Sequence, residues 1–334
     1  MPEQTTTPRN KIVVGDALTT LRKLGDNSVD MCLTSPPYFQ LRDYGADGQL
    51  GHESGVGQWT NQLHAVTQEI RRVLVPTGTL WLNLGDSYSA HLRQGAPAKS
   101  LLLAPERIAQ ALVEGGWVLR NKIIWAKPNP MPSSIRDRLT AAHEVIYVFA
   151  KQPRYFFDLD AIRIPHTSRP GRPPKTQSRR PGKPAWRGQN ASDTSGLHAL
   201  RAAGVPGHPL GKNPGDVWIM PTARGYGGHH AAFPKPLAER AIQAGCPEQR
   251  CTTCKAPWRR PIRRLGATAV RLVLEPSCAH RDGHERGLVL DPFMGSGTTA
   301  VAAMKHQRDW LGIELNPEYA TSARKRIQEA GGDP

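Results

Sequence analysis

Apolar and polar positions along the chain follow two alternating rhythms. Lys11–Val14 is a short apolar run ending at Gly15-Asp16, which reads as a strand entering a loop. Leu18, Leu21 and Leu24 then recur at helical spacing through Ala17–Leu24. Ser28–Thr34 is a second strand, halted by Ser35-Pro36-Pro37-Tyr38. Two successive prolines cannot donate to a sheet ladder, so these four side chains stand at a strand's C-terminal end. Residues 39–60 are glycine-rich and polar without a clear period, and are expected to be loop. Helical spacing returns over Gln62–Leu74, followed by a strand at Thr79–Leu84 and a helix at Pro105–Glu114 closed by two glycines. Strands at Trp117–Trp125 and Glu144–Ala150 flank a proline-broken loop, Lys127–Ser134. Strands alternating with helices predict an α/β domain, with a mostly parallel central sheet and helices on both faces. In such sheets ligands bind beyond the C-terminal ends of the strands.

From Ile164 to about Pro214 the rhythm stops, and the segment is dense in Pro, Gly, Arg and Ser. Regular elements resume with a strand at Asp216–Ile219 and a helix at Pro236–Ala244. After a cysteine-bearing segment come the strand Gly287–Leu290, a glycine turn, the helix Thr298–His306, the strand Trp310–Glu314 and the helix Pro317–Glu329. No internal repeat is present. Charge adds a second dimension to the interrupted region. The 334 residues carry 44 Lys and Arg against 28 Asp and Glu, a net charge of +16. Between Arg163 and Lys212 the only acid is Asp193, among basic residues that include Arg169, Arg172, Lys175, Arg179, Arg180, Lys183 and Arg187. A block so one-sided suits a surface held against phosphates, although a linker with incidental charge has the same composition. No run approaches the roughly eighteen apolar residues of a membrane span, and Met1–Asn10 has no apolar signal region. A soluble, cytoplasmic protein with no membrane partner is expected.

The segment LVLDPFMGSGTT at 288–299 is a cofactor candidate. A strand meets the small-residue loop Gly295-Ser296-Gly297, and Thr298-Thr299 opens a helix whose free N–H groups face any ligand. About twenty residues on, Glu314 ends the next strand, where an acid can bind the two hydroxyls of a ribose. The turn lacks the third glycine of a dinucleotide fingerprint and the lysine of a phosphate-binding loop, which argues against triphosphate chemistry.

Four of the five cysteines fall between Cys246 and Cys278. Cys251-x2-Cys254 and Cys278-x-His280 are two ligand pairs suited to a tetrahedral, structural zinc site, a small zinc-ribbon-like insertion spanning 246–286. Cys246 or His284 could replace His280, and scattered reduced thiols are the plainer alternative. Arg259, Arg260, Arg263 and Arg264 flank the segment, either for DNA contact or as a solvated face.

TSPPY at 34–38, DPFMGSGTT at 291–299 and GIELNPEY at 312–319 together resemble the amino-group DNA methyltransferases. Their order, catalytic motif first and cofactor motif last, is that of the family's permuted β group. Gly15-Asp16, IIWAKPNPMPSS at 123–134, HEVIYVF at 143–149, GKNPGDVW at 211–218 and FPKPLAERAI at 233–242 support the same resemblance. It covers most of the chain apart from roughly 160–210 and 247–286. It implies a Rossmann-like class I methyltransferase fold: a catalytic half over 1–160, a basic target-recognition arm over 161–215, and a cofactor half over 216–245 and 287–334.

The resemblance makes Ser35, Pro36, Pro37 and Tyr38 the catalytic residues. The Ser35 hydroxyl and Pro36 carbonyl would hydrogen-bond the amino protons of a flipped base, and Tyr38 would stack on its ring. S-adenosylmethionine would be held by Asp291, Phe293, Gly295, Ser296, Gly297, Thr298, Glu314 and Asn316, with Asp16 near the adenine and Phe233 near the methionine end. Seen alone, Asp16 fits a helix cap and Phe233 fits core packing. In this family serine in the first motif position goes mostly with cytosine N4 and aspartate with adenine N6, so Ser35 points to N4-cytosine, with N6-adenine the alternative. Carbon-5 methylation is disfavoured because Cys32 lacks the Pro-Cys context that chemistry uses. An RNA or protein amide methyltransferase is a further alternative. Implied partners are double-stranded DNA, a second copy of the chain in a homodimer, and a cognate restriction endonuclease.

Overall fold

A computed structural model describes residues 7–165, 208–223, 233–265 and 268–334. The seven basic positions from Arg169 to Arg187 named above lie outside the described residues. The chain divides into two compact units, one built from 1–158, 215–259 and 276–334, the other from 159–214 and 260–275. The segment 246–286, drawn from sequence as one insertion, is thereby shared between the two units.

The first unit is organised on an eight-stranded sheet. Its strands are β1 (Lys11–Val14), β2 (Val29–Thr34), β3 (Leu74–Leu84), β4 (Val118–Ala126), β5 (His143–Ala150), β6 (Val217–Ile219), β11 (Leu288–Asp291) and β12 (Asp309–Glu314). Their spatial order is β1-β12-β11-β2-β3-β5-β4-β6. All the pairings are parallel except those of β5 with β3 and with β4. The expected mostly parallel sheet is therefore present, with β5 as the one reversed strand. Every residue of β2 and β11 is buried, as central strands covered on both faces require.

Helices α1 (Ala17–Leu21), α2 (Val56–Val73), α3 (Ala104–Glu114), α4 (Lys235–Gly245), α5 (Thr298–Lys305) and α6 (Pro317–Glu329) cover the sheet. α2 starts six residues before the expected helix, within the expected loop. Its buried face runs Val56, Trp59, Leu63, Val66, Ile70, Val73, alternating three- and four-residue steps. Gly57 in the first turn costs about 1 kcal/mol of helix propensity, and it obscures the pattern. Burial of Trp59 and Val56, at about 1.5–3 kcal/mol for each large apolar side chain, outweighs that cost. β3 also starts earlier than expected, at Leu74, because Pro76 sits exposed at an irregularity in the β2–β3 ladder.

Two short strands, β7 (Gln249–Cys251) and β10 (His284–Arg286), pair antiparallel. In the second unit, β8 (Ile262–Leu265) and β9 (Thr268–Arg271) form a hairpin, and Ile164 bridges Lys212. Among the described residues no helix is long and apolar enough to cross a membrane.

Candidate active site

The parallel strands deliver their C-terminal ends to one edge of the sheet. Glycine turn, acid and tetrapeptide arrive there on β11, β12 and β2, and Gly15-Asp16 follows β1, its amide bonded to the Glu314 carbonyl at 2.9 Å. Between them lies a cavity of about 430 Å³. Seven of the residues expected at the site line it: Asp16, Ser35, Pro37, Phe293, Gly295, Glu314 and Asn316.

Glu314 is the best-held group in the wall. Its Oε2 accepts the Gly295 amide at 2.7 Å and its Oε1 the Asn316 amide at 2.9 Å. Burial pushes its carboxyl above the ordinary glutamate value, against the pull of these amides. Asp16 both lines the cavity and caps α1, accepting the Thr19 amide at 2.8 Å. Asn316 caps α6 through its side-chain oxygen and donates from Nδ2 to the Tyr44 carbonyl at 2.9 Å. That second bond draws the loop after the tetrapeptide onto the site. Tyr44, Ala46, Gln49 and Leu50 of the loop line the cavity, and Tyr44 meets Tyr319 edge-on with ring centroids 6.4 Å apart.

Other expected cofactor residues do not line the cavity but hold its wall. Asp291 ends β11, buried, and accepts from Thr34 Oγ1 and Thr299 Oγ1, both at 2.6 Å, and from the Phe293 amide at 3.1 Å. It thus ties the last residue of the β2 strand to the glycine turn. Burial raises its carboxyl to about 6. Ser296 and Thr298 turn their hydroxyls to Arg326 of α6, at 3.0 and 2.9 Å. Gly297, the N-cap of α5, has φ +75, and an added Cβ there would lie 3.3 Å from Ala323 Cβ. Only glycine adopts that conformation without strain. Phe233, at the entry to α4, is buried and packs in the core.

The tetrapeptide is fixed by partners that the sequence reading assigned no role. Trp59 of α2 donates Nε1 to the Pro37 carbonyl at 3.0 Å. Ser35 Oγ donates to the Tyr38 hydroxyl at 3.0 Å, and Tyr38 donates to Glu144 Oε2 at 2.7 Å. Asn83 Nδ2 reaches both Tyr38 Oη (2.8 Å) and Glu144 Oε2 (2.7 Å), and Lys127 Nζ pairs with Glu144 Oε1 at 2.5 Å. Lys127 and Glu144 lie in the stretches 123–134 and 143–149, both of which resemble the family. What sequence could not supply is that β5 runs backwards and so presents its first residues beside the end of β2.

Away from this edge, Cys251, Cys254, Cys278 and His280 bring one ligand atom each to within 4.8 Å of one another. These are the four residues the spacing singled out. Cys246 is buried apart from them, and its Sγ lies 3.7 Å from the Pro247 carbonyl. Ligand atoms on a tetrahedral zinc lie about 3.8 Å apart when each Zn–S bond is about 2.3 Å, so a small inward movement of these side chains would close a site.

The sequence profile of a family described as DNA methylase, covering N6 and N4 amino-methyltransferases, matches residues 29–325. Type II methyltransferase M.XycI of Xanthomonas campestris pv. cyanopsidis is 33% identical, over 94% of this chain and 86% of its own. Type II methyltransferase M.Cfr9I of Citrobacter freundii is 32% identical over the same shares. In fold, the chain is similar to the PvuII DNA methyltransferase (cytosine-N4-specific). That comparison has a TM-score of 0.58 and 17% identity, and covers 98% of this chain and 95% of that one. A profile spanning most of the sequence and relatives a third identical along nearly all of it lead to one conclusion: the chain belongs to the N6/N4 DNA methylase family, the amino-group DNA methyltransferases.

Proposed function

We propose that this methyltransferase acts on the exocyclic N4 of a cytosine flipped out of duplex DNA. The observation that carries the reading is Ser35, half-buried and lining the same cavity as Glu314 and Gly295. An amino nitrogen on an aromatic ring is a poor nucleophile because its lone pair is delocalised. Ser35 Oγ donates its own proton to Tyr38 and so keeps a lone pair to accept an amino hydrogen. That bond favours a tetrahedral nitrogen with its lone pair free for attack, a gain made by positioning and electrostatics. S-adenosylmethionine, when bound, supplies an electrophilic methyl group on a sulfonium. Glu314 would take its ribose hydroxyls, and Asp16 would lie near its adenine. Asp291 and Phe233, which are set back from the cavity, would shape the methionine end through the turn and the core they hold. Gly295, Phe293 and Asn316 would complete the wall.

Serine at position 35 supports cytosine as the base, with adenine N6 the second reading. The basic segment 161–215 supports duplex DNA as the partner through phosphate contacts, which carry most sequence-independent affinity. The Type II relatives support a cognate restriction endonuclease alongside. The test is to incubate the protein with unmethylated DNA and S-adenosylmethionine, digest to nucleosides and identify the product by mass spectrometry. N4-methyldeoxycytidine is expected. N6-methyldeoxyadenosine would reverse the choice of base, and the absence of any methylated base from cofactor-binding protein would overturn the DNA reading in favour of RNA or a protein amide.

The same proposal includes a structural zinc on Cys251, Cys254, Cys278 and His280, supported by their convergence. Four protein ligands leave no open position, so the metal would brace the fold rather than act in the chemistry. Metal analysis is expected to find about one zinc per chain, and chelation to lower the melting temperature, because binding free energy of this kind is folding free energy. Protein purified without metal and melting at the same temperature with and without added zinc would remove the site.

A further inference from the structure

Methyl transfer to an amino group leaves a proton to be disposed of. The nitrogen lone pair forms the new N–CH3 bond while the S–CH3 bond breaks with its electrons left on sulfur. The nitrogen, now positively charged, must then lose one hydrogen. The cavity wall offers a route for it. From Ser35 Oγ the hydrogen bonds run in one direction, to Tyr38 Oη at 3.0 Å and from Tyr38 to Glu144 Oε2 at 2.7 Å. Both distances permit proton transfer.

We propose that Glu144 is the terminal acceptor of this relay: the amine proton passes to Ser35 Oγ as Ser35 gives its own to Tyr38 and Tyr38 gives its own to Glu144. The step balances with no other reactant, since the carboxylate ends as a carboxylic acid and both hydroxyls are restored. The proposal rests on the amino-methyltransferase reading above.

The surroundings are built for this. Asn83 Nδ2 touches all three members, Ser35 Oγ at 3.4 Å, Tyr38 Oη at 2.8 Å and Glu144 Oε2 at 2.7 Å, which holds them in line. Lys127 Nζ, at 2.5 Å on the other carboxylate oxygen, fixes the carboxylate in place. The Tyr38 ring lies over Gly85, where an added Cβ would come within 2.8 Å of a ring carbon, so position 85 must be bare for the phenol to reach Glu144. Burial and the nearby Glu144 charge push the Tyr38 phenol well above its ordinary value, so tyrosine passes a proton without resting as phenolate.

The titratable groups facing Glu144 are Lys127, Tyr38 and, at longer range, Tyr44. The experiment compares wild type with Glu144→Gln in single-turnover methylation of a DNA duplex in H2O and in D2O, with cofactor affinity measured by calorimetry. Glu144→Gln is expected to lose about 100-fold in rate, the ordinary worth of general acid–base help. Its cofactor affinity should be unchanged, because Glu144 does not line the cavity, and the slowing of the wild type in D2O should be gone. Glu144→Asp should regain part of the rate and of the solvent isotope effect. Should Glu144→Gln fail to fold, Tyr38→Phe keeps the ring over Gly85 and cuts the link, with the same loss expected. Wild-type rate in the folded variant overturns the relay, as does a loss of rate with the solvent isotope effect intact. A wild-type enzyme inactive on DNA would instead count against the function proposed above.

Discussion

Glu314→Ala should weaken cofactor binding by about 100- to 10,000-fold. The range follows from two charge-assisted hydrogen bonds to ribose hydroxyls, each contributing about 1.5–3 kcal/mol. The carboxylate is already held at the cavity wall, since the Gly295 and Asn316 amides fix both of its oxygens. Removing it also strands those two amides, at about 1–3 kcal/mol each where water cannot replace the partner. A lower melting temperature should therefore accompany the loss. Glu314→Gln is not a mild change here, because its NH2 would confront one of the same amides, donor against donor. Burial holds the Glu314 carboxyl above its usual value, so cofactor affinity should decline on acidification earlier than for an exposed glutamate. Calorimetric titration with S-adenosylmethionine measures both effects. An alanine variant binding within tenfold of wild type would take Glu314 out of the cofactor site.

The groups that made these sites legible in sequence share one property: their neighbours in space are also their neighbours in the chain, or stand at the ends of adjacent parallel strands. Gly295, Gly297 and Glu314 sit one strand apart, and periodicity alone puts the turn and the acid on the same edge. The Cys251, Cys254, Cys278 and His280 spacing survived because each pair is local and β7 with β10 closes the gap. Glu144 was hidden for the opposite reason. An apolar run such as EVIYVFA does not disclose the direction of its strand, and only the reversal of β5 brings Glu144 beside Tyr38, 106 residues earlier. The loop after the tetrapeptide was hidden by its composition, since glycines and polar residues carry no period even when, as with Tyr44 and Leu50, they wall a cavity. Asp291 and Ser296 show the remaining gap. A motif says which residues a site needs, but not which of them face the ligand and which brace the ones that do.

Arg250→Met should destabilise the fold by about 3–5 kcal/mol, the ordinary result of removing one partner from a buried ion pair. Arg250 adjoins the proposed metal ligand Cys251, and its side chain is 3% exposed. From there Nη1 reaches Asp30 Oδ2 at 2.8 Å and the Ser28 carbonyl at 2.9 Å, while Nε reaches Glu285 at 2.9 Å. Asp30, 2% exposed, lies on β2 five residues before Ser35 and also accepts the Leu288 amide that opens β11. One guanidinium thus pins the cysteine strands to β2 and, through Asp30, to β11. Burial raises the Asp30 carboxyl even with Arg250 beside it, and without Arg250 it should rise further. A carboxyl whose folded value lies above its unfolded one costs nothing below the unfolded value. Its penalty grows as pH rises and is complete above the folded one. The gap in stability between Arg250→Met and wild type should therefore narrow on acidification. Asp30→Asn placed in the same chain should recover part of the loss at neutral pH, because no charge is then left buried without a partner. Denaturant melts of the three proteins at two pH values decide it: a pH-independent gap with no rescue by Asp30→Asn would mean that Arg250 contributes packing alone, and that the cysteine strands are held to β2 by other means.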